Sequence, residues 1–211
     1  MKKLLSALVF LIALLTVHTP TISAQSQDTD QSFINTRGVF LNVHASGTGM
    51  RVESDEDDTG LGFGATLGYG INQVATLYVR GHISDMGIED NATLRRVEDE
   101  TYSLAHVDLG VRFTNKDVSE RGALYGGAAV GGLASSYDAQ TVSSDAILRG
   151  LSLTGEVGFM YFLVPRIAVD IGFNLTAGRY STLDIEGRTE SVELDTLSAR
   201  INAGLSIYPF R

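Results

Sequence analysis

Seven segments of the sequence alternate apolar residues with polar or small ones at a period of two, and their apolar positions carry no charge. Because successive side chains of a β-strand point to opposite faces, each segment would have one apolar and one polar face. An eighth, glycine-rich segment at residues 123–135 could turn either face outward. The sequence therefore predicts an all-β fold of eight strands, seven of them at residues 39–45, 61–71, 75–83, 105–113, 151–163, 167–177 and 197–207.

The polar faces carry ionisable side chains, and this decides which face points inward. A soluble barrel buries its apolar faces, whereas a membrane barrel turns apolar residues to lipid and encloses polar ones. The absence of charge on seven apolar faces favours the second arrangement, an eight-stranded antiparallel up-and-down transmembrane β-barrel. The soluble alternative, a lipocalin-like carrier, has a Gly-x-Trp signature, and this sequence has no Trp.

The amino terminus has the pattern of a secretory signal peptide. A basic start, Lys2-Lys3, precedes an apolar run of about 14 residues, which is shorter than the ~20 of a spanning helix. A small-residue cleavage site ends at Ala24, so residues 1–24 are predicted to be removed on export. Residues 25–36 would then form a short, mobile periplasmic arm, and residues 37–211 would form the barrel.

The connections between the predicted strands alternate in length. Short periplasmic turns and long extracellular loops are typical of outer-membrane barrels. Both termini would lie at the periplasmic end, since the number of strands is even. The pattern predicts the outer membrane of a Gram-negative bacterium, with short turns at residues 72–73, 116–122 and 165–166 and long loops at about 46–59, 86–101, 135–148 and 179–196.

The charge and cysteine content exclude several kinds of partner and site. With 25 acidic and 16 basic residues the net charge is −9, which argues against nucleic acid because phosphates need a basic face. The chain has no cysteine, so it has neither disulfides nor thiolate metal sites. We expect no cofactor.

Three segments resemble a known family. The run GLGFGATLGYGINQVATLYVRG at residues 60–81 is similar to strands two and three of the outer-membrane beta-barrel domain family, and ALYGGAAVGG at residues 123–132 is similar to its fifth strand. Tyr208-Pro209-Phe210 resembles its aromatic carboxyl terminus, although Arg211 follows here. The resemblance implies an eight-stranded OmpA-like or OmpX-like barrel, inserted by the barrel assembly machinery with Tyr208 and Phe210 as the assembly signal.

Six charged residues on the predicted inner faces are candidates for a charge network in the lumen. Three are basic and three acidic, and buried charge is tolerated when it is paired and hydrogen-bonded. An eight-stranded barrel has just enough interior for side chains to fill. We therefore expect a structural plug, with a narrow gated path or a ligand site as the alternatives. The six are Arg80, Asp108, Arg112, Glu156, Asp170 and Arg200.

Two His-x-Ser pairs, His44 with Ser46 and His82 with Ser84, invite an enzymatic interpretation, because residues two apart share a strand face. Outer-membrane barrels that modify lipid A use such a pair where it reaches lipid, but here both pairs belong to the inner face. Nucleophilic catalysis also needs a third group that orients the histidine, and the sequence indicates none. We predict that the protein is not an enzyme.

The predicted outer loops are acidic, and the first carries Glu53, Asp55, Glu56, Asp57 and Asp58. Residues 55–60 resemble the start of an EF-hand loop, but Thr66 stands where the bidentate Glu is needed. A solvated, repulsive surface is the preferred interpretation. The alternative is a weak divalent-cation site shared with lipopolysaccharide phosphates.

These observations predict a structural or surface-interaction role in the outer membrane, with a small channel as the alternative. The expected partners are outer-membrane lipid and lipopolysaccharide, the assembly machinery, and a host or cell-surface molecule bound by the loops. We expect a monomer, since a closed barrel has no free edge.

Overall fold

Eight antiparallel strands form a closed barrel in which each strand pairs with its neighbours in sequence and the last pairs with the first. This computed structural model describes residues 33–53, 57–90, 95–116, 118–137, 146–185 and 187–209. The predicted all-β, up-and-down architecture is confirmed. The strands are β1 (Gly38–Val52), β2 (Asp57–Gly70), β3 (Ala75–Asp90), β4 (Arg95–Asn115), β5 (Gly122–Tyr137), β6 (Ala146–Val164), β7 (Ile167–Ile185) and β8 (Arg188–Ile207). Within the described ranges, no α-helix has the length and hydropathy of a membrane span.

The apolar faces of the strands point outward, as predicted. Leu61 and Leu151 are 72% and 77% exposed, whereas the charged Arg200 is 1% exposed. On β8 the outward apolar positions run from Leu197 to Ile207. At about 3.3 Å per residue and a tilt of about 40°, this run covers roughly 25 Å, the height of the apolar band of an outer-membrane barrel.

Pairing with the neighbouring strands determines which face of β5 points outward. Leu124 and Val130 point outward and are exposed, whereas Tyr125 and Leu133 are buried in the lumen. The sequence left this facing open because both faces of the strand are small or apolar. Pairing with β4 and β6 fixes it, since a shift by one residue would turn every side chain to the other face.

The strands extend well beyond the apolar band at the end opposite the termini. Residues predicted to form long loops instead continue the sheet, so that β7 and β8 remain paired up to Ile185 and Arg188 and turn at Gly187, which has a positive φ of 78°. The prediction of a long loop at 179–196 was therefore wrong. Outside the hydrocarbon a strand no longer needs an apolar outer face, so its alternation disappears while its backbone pairing continues.

Residues 33–36, which precede β1, close the periplasmic mouth of the barrel. Ile34 is 3% exposed and packs in an apolar cluster with Phe40 and Tyr208. Thr36 Oγ1 donates a hydrogen bond to the carbonyl oxygen of Gln73 at 2.9 Å. Residues 33–36 are therefore part of the barrel closure rather than a mobile arm. The predicted signal peptide and residues 25–32 lie outside the described residues.

Candidate functional site

The inner face of β3 shows how the lumen is filled. From the periplasmic end it presents Tyr78, Arg80, His82, Ser84 and Met86, and each is at most 3% exposed. Apolar, charged, polar and again apolar side chains thus follow one another along the barrel axis. The lumen is filled in layers, and the charged layer lies inside it.

Glu156 on β6 is the centre of the charged layer. It accepts hydrogen bonds from Arg112 Nε at 2.9 Å and from Arg112 Nη2 at 3.4 Å. Arg80, on the opposite wall of the barrel, forms an ion pair with Glu156 Oε2. The carboxylate is 1% exposed, and two guanidinium groups compensate for the loss of its hydration.

Asp170 continues this group toward the periplasm. Its Oδ1 accepts a hydrogen bond from the hydroxyl of Tyr125 at 2.8 Å, and its Oδ2 lies 3.8 Å from Arg112 Nη1 and 3.5 Å from Ser206 Oγ. The guanidinium carbon of Arg112 also lies 4.0 Å from the centre of the Tyr125 ring, a cation–π geometry. Two arginines and two carboxylates therefore form one neutral group.

Arg200 on β8 and Asp108 on β4 form a second, smaller group, which also spans the lumen between opposite walls. Arg200 Nη2 lies 3.7 Å from Asp108 Oδ2 and donates a hydrogen bond to Thr176 Oγ1 at 3.0 Å. Thr154 Oγ1 connects the pair, because it lies 2.9 Å from Thr176 Oγ1 and donates to Asp108 Oδ1 at 3.4 Å. All six predicted residues lie in one layer, divided into a group of four and a group of two.

An apolar cluster lies at each end of the polar layers. The outer seal, at the extracellular end, consists of Met50, Met86, Tyr102, Leu104, Leu133 and Tyr180. The periplasmic seal consists of Ile34, Phe40, Tyr78, Ala123, Tyr125, Ala129, Met160, Phe162, Ala168 and Tyr208. Buried side chains in both clusters separate the charges from water at either end.

Of the predicted assembly signal, the structure describes Tyr208 and not Phe210. Tyr208 is 3% exposed, and its ring stacks on Phe40 with 5.6 Å between the ring centres. It therefore points into the periplasmic seal and not to lipid. Its backbone N–H donates to the carbonyl oxygen of Arg166 at 2.9 Å, which fixes the end of β8 to the turn before β7.

Three histidines lie between the charged layer and the outer seal. The rings of His44 and His82 are stacked with 5.7 Å between centres, and His106 lies 6.5 Å from His82. His82 Nε2 is 2.8 Å from Ser84 Oγ and 3.2 Å from Ser46 Oγ. Within the described part of the chain, no three or more metal-ligating side chains converge. His44 Nδ1 lies 2.8 Å from Asn42 Oδ1, so His44 and His82 each have a hydrogen-bonding partner in the lumen.

Sequence reasoning missed the neutral partners of the charges. Tyr125 lay on the strand whose facing was open, and Thr154 and Thr176 look like ordinary polar residues of an inner face. Glycines provide the space for these larger groups. A Cβ at Gly158 would lie 2.6 Å from the carbonyl oxygen of Ile171 and would also overlap the Tyr125 ring. Glycines at inward positions opposite a tyrosine were the sequence feature that could have indicated where these larger side chains lie.

The extracellular edge carries acidic groups held in a defined geometry. Arg179 Nε donates to Asp195 Oδ1 at 2.7 Å, and Arg179 Nη1 lies 3.8 Å from Glu193 Oε2. The hydrogen bond from Arg179 lowers the pKa of the Asp195 carboxyl. The backbone N–H of Asp195 also donates to Glu53 Oε1 at 3.3 Å. Strands β1, β7 and β8 are thus joined above the apolar band.

The EF-hand-like segment has no calcium geometry in the residues described. Asp55 and Glu56 lie outside the described residues, and Thr66 is buried in the lumen within β2. Asp58 Oδ2 accepts a hydrogen bond from the Tyr102 hydroxyl at 2.6 Å. This carboxylate therefore connects the edge of β2 to the outer seal.

Comparisons with known proteins agree with this architecture. Three solved barrels share the fold: Neisserial surface protein A (16% identity, TM-score 0.63, covering 81% of this chain and 96% of that chain), OprG from Pseudomonas aeruginosa (11%, 0.53, 81% and 95%) and the attachment invasion locus protein Ail of Yersinia pestis (14%, 0.51, 81% and 99%). No curated protein matches the sequence. Residues 9–207 of the sequence match the model of a protein family that is described as the outer membrane protein beta-barrel domain. The chain therefore belongs to the family of outer membrane protein beta-barrel domains.

Proposed function

We propose that this protein is a non-conducting outer-membrane barrel with a structural and surface-interaction role. The observation that carries the proposal is the filled lumen, in which a neutral charged layer lies between two apolar seals. An ion crossing it would have to lose its hydration in two apolar layers and displace paired charges between them. A channel role would require both seals to move.

The extracellular end supports the surface part of the proposal. Strands β6, β7 and β8 are 19, 19 and 20 residues long, about twice the 9–11 that a tilted membrane strand needs. Their outer parts form a paired sheet above the lipid, and its edge presents Glu190, Glu193 and Asp195. A fixed acidic surface of this kind suits a cationic partner on a host or neighbouring cell.

The biogenesis that we propose follows the sequence. The signal peptide is cleaved after Ala24, the assembly machinery inserts the barrel, and the product is a monomer. The closed ring supports the last point because no strand edge is left to pair with a second chain. A monomeric mass in mild detergent, independent of protein concentration, is expected.

We also propose that the protein catalyses no reaction. The closest arrangement to a catalytic pair, His82 with Ser84, is at most 3% exposed and lies beneath the outer seal. A substrate could not reach it from either leaflet or from water. Serine-directed covalent probes react only with a serine that a neighbouring base activates, so they should leave the folded barrel unlabelled.

Planar-bilayer recording tests the filled lumen. The purified barrel should give no steady conductance, and neither should the lipid-facing control Leu151→Ala. A second variant removes part of the outer seal and of the charged layer together. It carries Met86→Ala, Tyr102→Ala, Arg80→Ser and Glu156→Ser, and it should conduct if it folds. Steady, reproducible pores from the unaltered protein would refute the proposal.

Binding of whole cells tests the surface role. Bacteria that display the barrel should retain a polycationic surface better than bacteria with Glu190→Gln and Glu193→Gln. The control is Glu120→Gln, which removes one acid from the periplasmic end. Equal retention by all three strains would count against an acidic interaction surface.

A further inference from the structure

The two ends of the barrel differ in charge. Among the described side chains, the periplasmic rim carries one acid, Glu120, and four basic groups: Arg37, Lys116, Arg121 and Arg166. The opposite end carries more acids than bases, namely Glu53, Asp58, Asp85, Asp184, Glu190, Glu193 and Asp195 against Arg51, Arg149, Arg179 and Arg188. The chain as a whole is acidic, but the described side chains of its periplasmic rim are mostly basic.

The basic rim lies directly below the apolar band. Arg166 stands between Val164 and Ile167, whose side chains are 47% and 37% exposed on the lipid face. Tyr161 and Tyr69 also point outward near this end and are 43% and 56% exposed. Outward tyrosines mark the level of the lipid headgroups in membrane barrels, so the basic groups lie at the headgroup level of the inner leaflet.

Two of the arginines are fixed to the barrel through their backbones. The carbonyl oxygen of Arg121 accepts a hydrogen bond from the N–H of Phe162 at 2.8 Å, and that of Arg166 accepts one from Tyr208 at 2.9 Å. Both side chains are exposed, and neither forms an ion pair with another described side chain. The guanidinium of Arg121 also lies 4.6 Å from the ring centre of Phe33.

We propose that the periplasmic rim binds anionic phospholipid headgroups of the inner leaflet, with Arg121 and Arg166 as the principal contacts. A guanidinium group matches the geometry of a phosphate and forms paired hydrogen bonds with it. Arg121 directly precedes β5 and Arg166 lies in the turn between β6 and β7, and the apolar side chains above that turn contact the acyl chains. This inference concerns the opposite end of the barrel from the proposed surface role and does not depend on it.

Native mass spectrometry of the barrel released from mixed bilayers tests the inference. Vesicles of phosphatidylcholine and phosphatidylglycerol supply the two headgroups, and the unaltered barrel should retain phosphatidylglycerol in excess of its share. Arg121→Gln and Arg166→Gln should each lower this enrichment by about fivefold, the contribution of one basic side chain near an anionic surface. The enrichment should also fall with salt.

Three controls separate this site from general attraction. Arg149→Gln with Arg188→Gln removes two basic charges from the extracellular end, one more than either test variant removes, and should leave the enrichment unchanged. Arg121→Lys with Arg166→Lys keeps the charge but loses the paired hydrogen bonds, so it should retain only part of the enrichment. Excess inorganic phosphate should not displace the lipid, because free phosphate lacks the apolar contact. Equal enrichment in the glutamine variants, an equal loss in the extracellular control, or displacement by phosphate would overturn the proposal.

Discussion

Arg112 and Tyr125 are in cation–π contact, with the guanidinium carbon 4.0 Å from the centre of the ring, while the hydroxyl of Tyr125 donates to Asp170 at 2.8 Å. One tyrosine therefore binds a cation with its face and an anion with its edge. This neutral side chain joins the two oppositely charged partners of the charged layer.

Replacing this tyrosine should separate its two contributions. Tyr125→Phe removes only the hydrogen bond to a charged acceptor and should lower the free energy of unfolding by about 1.5–3 kcal/mol. Tyr125→Leu also removes the cation–π contact and should be less stable than Tyr125→Phe by a further ~1 kcal/mol. Urea titration of the barrel in lipid vesicles measures both. Equal stability of the two variants would show that the ring face contributes nothing.

Removing the central carboxylate should destabilise the barrel more than any neutral change in the lumen. Glu156→Gln removes the acid that Arg80 and Arg112 share, and breaking a buried pair of this kind costs about 3–5 kcal/mol. Adding Arg80→Gln restores the charge balance, so the double variant should recover part of the loss. The double-mutant cycle gives the coupling energy directly. Additive losses would mean that the two residues do not interact.

Space for Tyr125 depends on a glycine opposite it. A Cβ at Gly158 would overlap the ring and lie 2.6 Å from the carbonyl oxygen of Ile171, whereas a Cβ at Gly47 on the lipid face would meet no atom within 4 Å. Gly158→Ala should therefore cost about 1–3 kcal/mol as an overpacked site. Gly47→Ala is the matched control and should leave the unfolding midpoint unchanged. A similar effect of both substitutions would point to backbone entropy as the cause.

The ion pair above the lipid should respond to acid. The hydrogen bond from Arg179 lowers the pKa of Asp195, so its contribution to stability is complete above the ordinary carboxyl pKa. The contribution is lost as the pH falls through the lowered value. NMR titration of the carboxyl carbon should show this lowered pKa, and Arg179→Gln should return it toward the ordinary range. An unchanged pKa in that variant would assign the shift to another neighbour.

The facing of most strands could be predicted because the bilayer imposes it. Leu61, Leu151 and Arg200 follow the rule that lipid contacts only the apolar face, so alternation alone indicates in and out. The rule gives no information for a strand whose two faces are alike, or for residues that lie above the lipid. Strand β5 is small on both faces, and above the lipid the outward positions Asp85 and Arg179 no longer contrast with the inward ones.

The contacts within the lumen could not be predicted from facing alone. Arg80 and Glu156 are 76 residues apart on β3 and β6, and which inner side chains meet depends on the stagger of the strands around the ring. The same holds for Tyr125 with Asp170, whose strands are not neighbours. Alternation specifies the composition of the interior, and the shear of the closed sheet specifies its pairs.

The pairing of Arg80 with Glu156 across the barrel has a consequence for how the protein comes into being. No single hairpin contains both partners, so an unfinished sheet entering the bilayer would present a bare guanidinium to hydrocarbon. Electrical neutrality emerges only when the cylinder is complete, with β8 joined to β1 along a seam where Asn42 Nδ2 donates to Ser206 Oγ at 3.0 Å. Biogenesis must therefore shelter the growing sheet until that seam shuts.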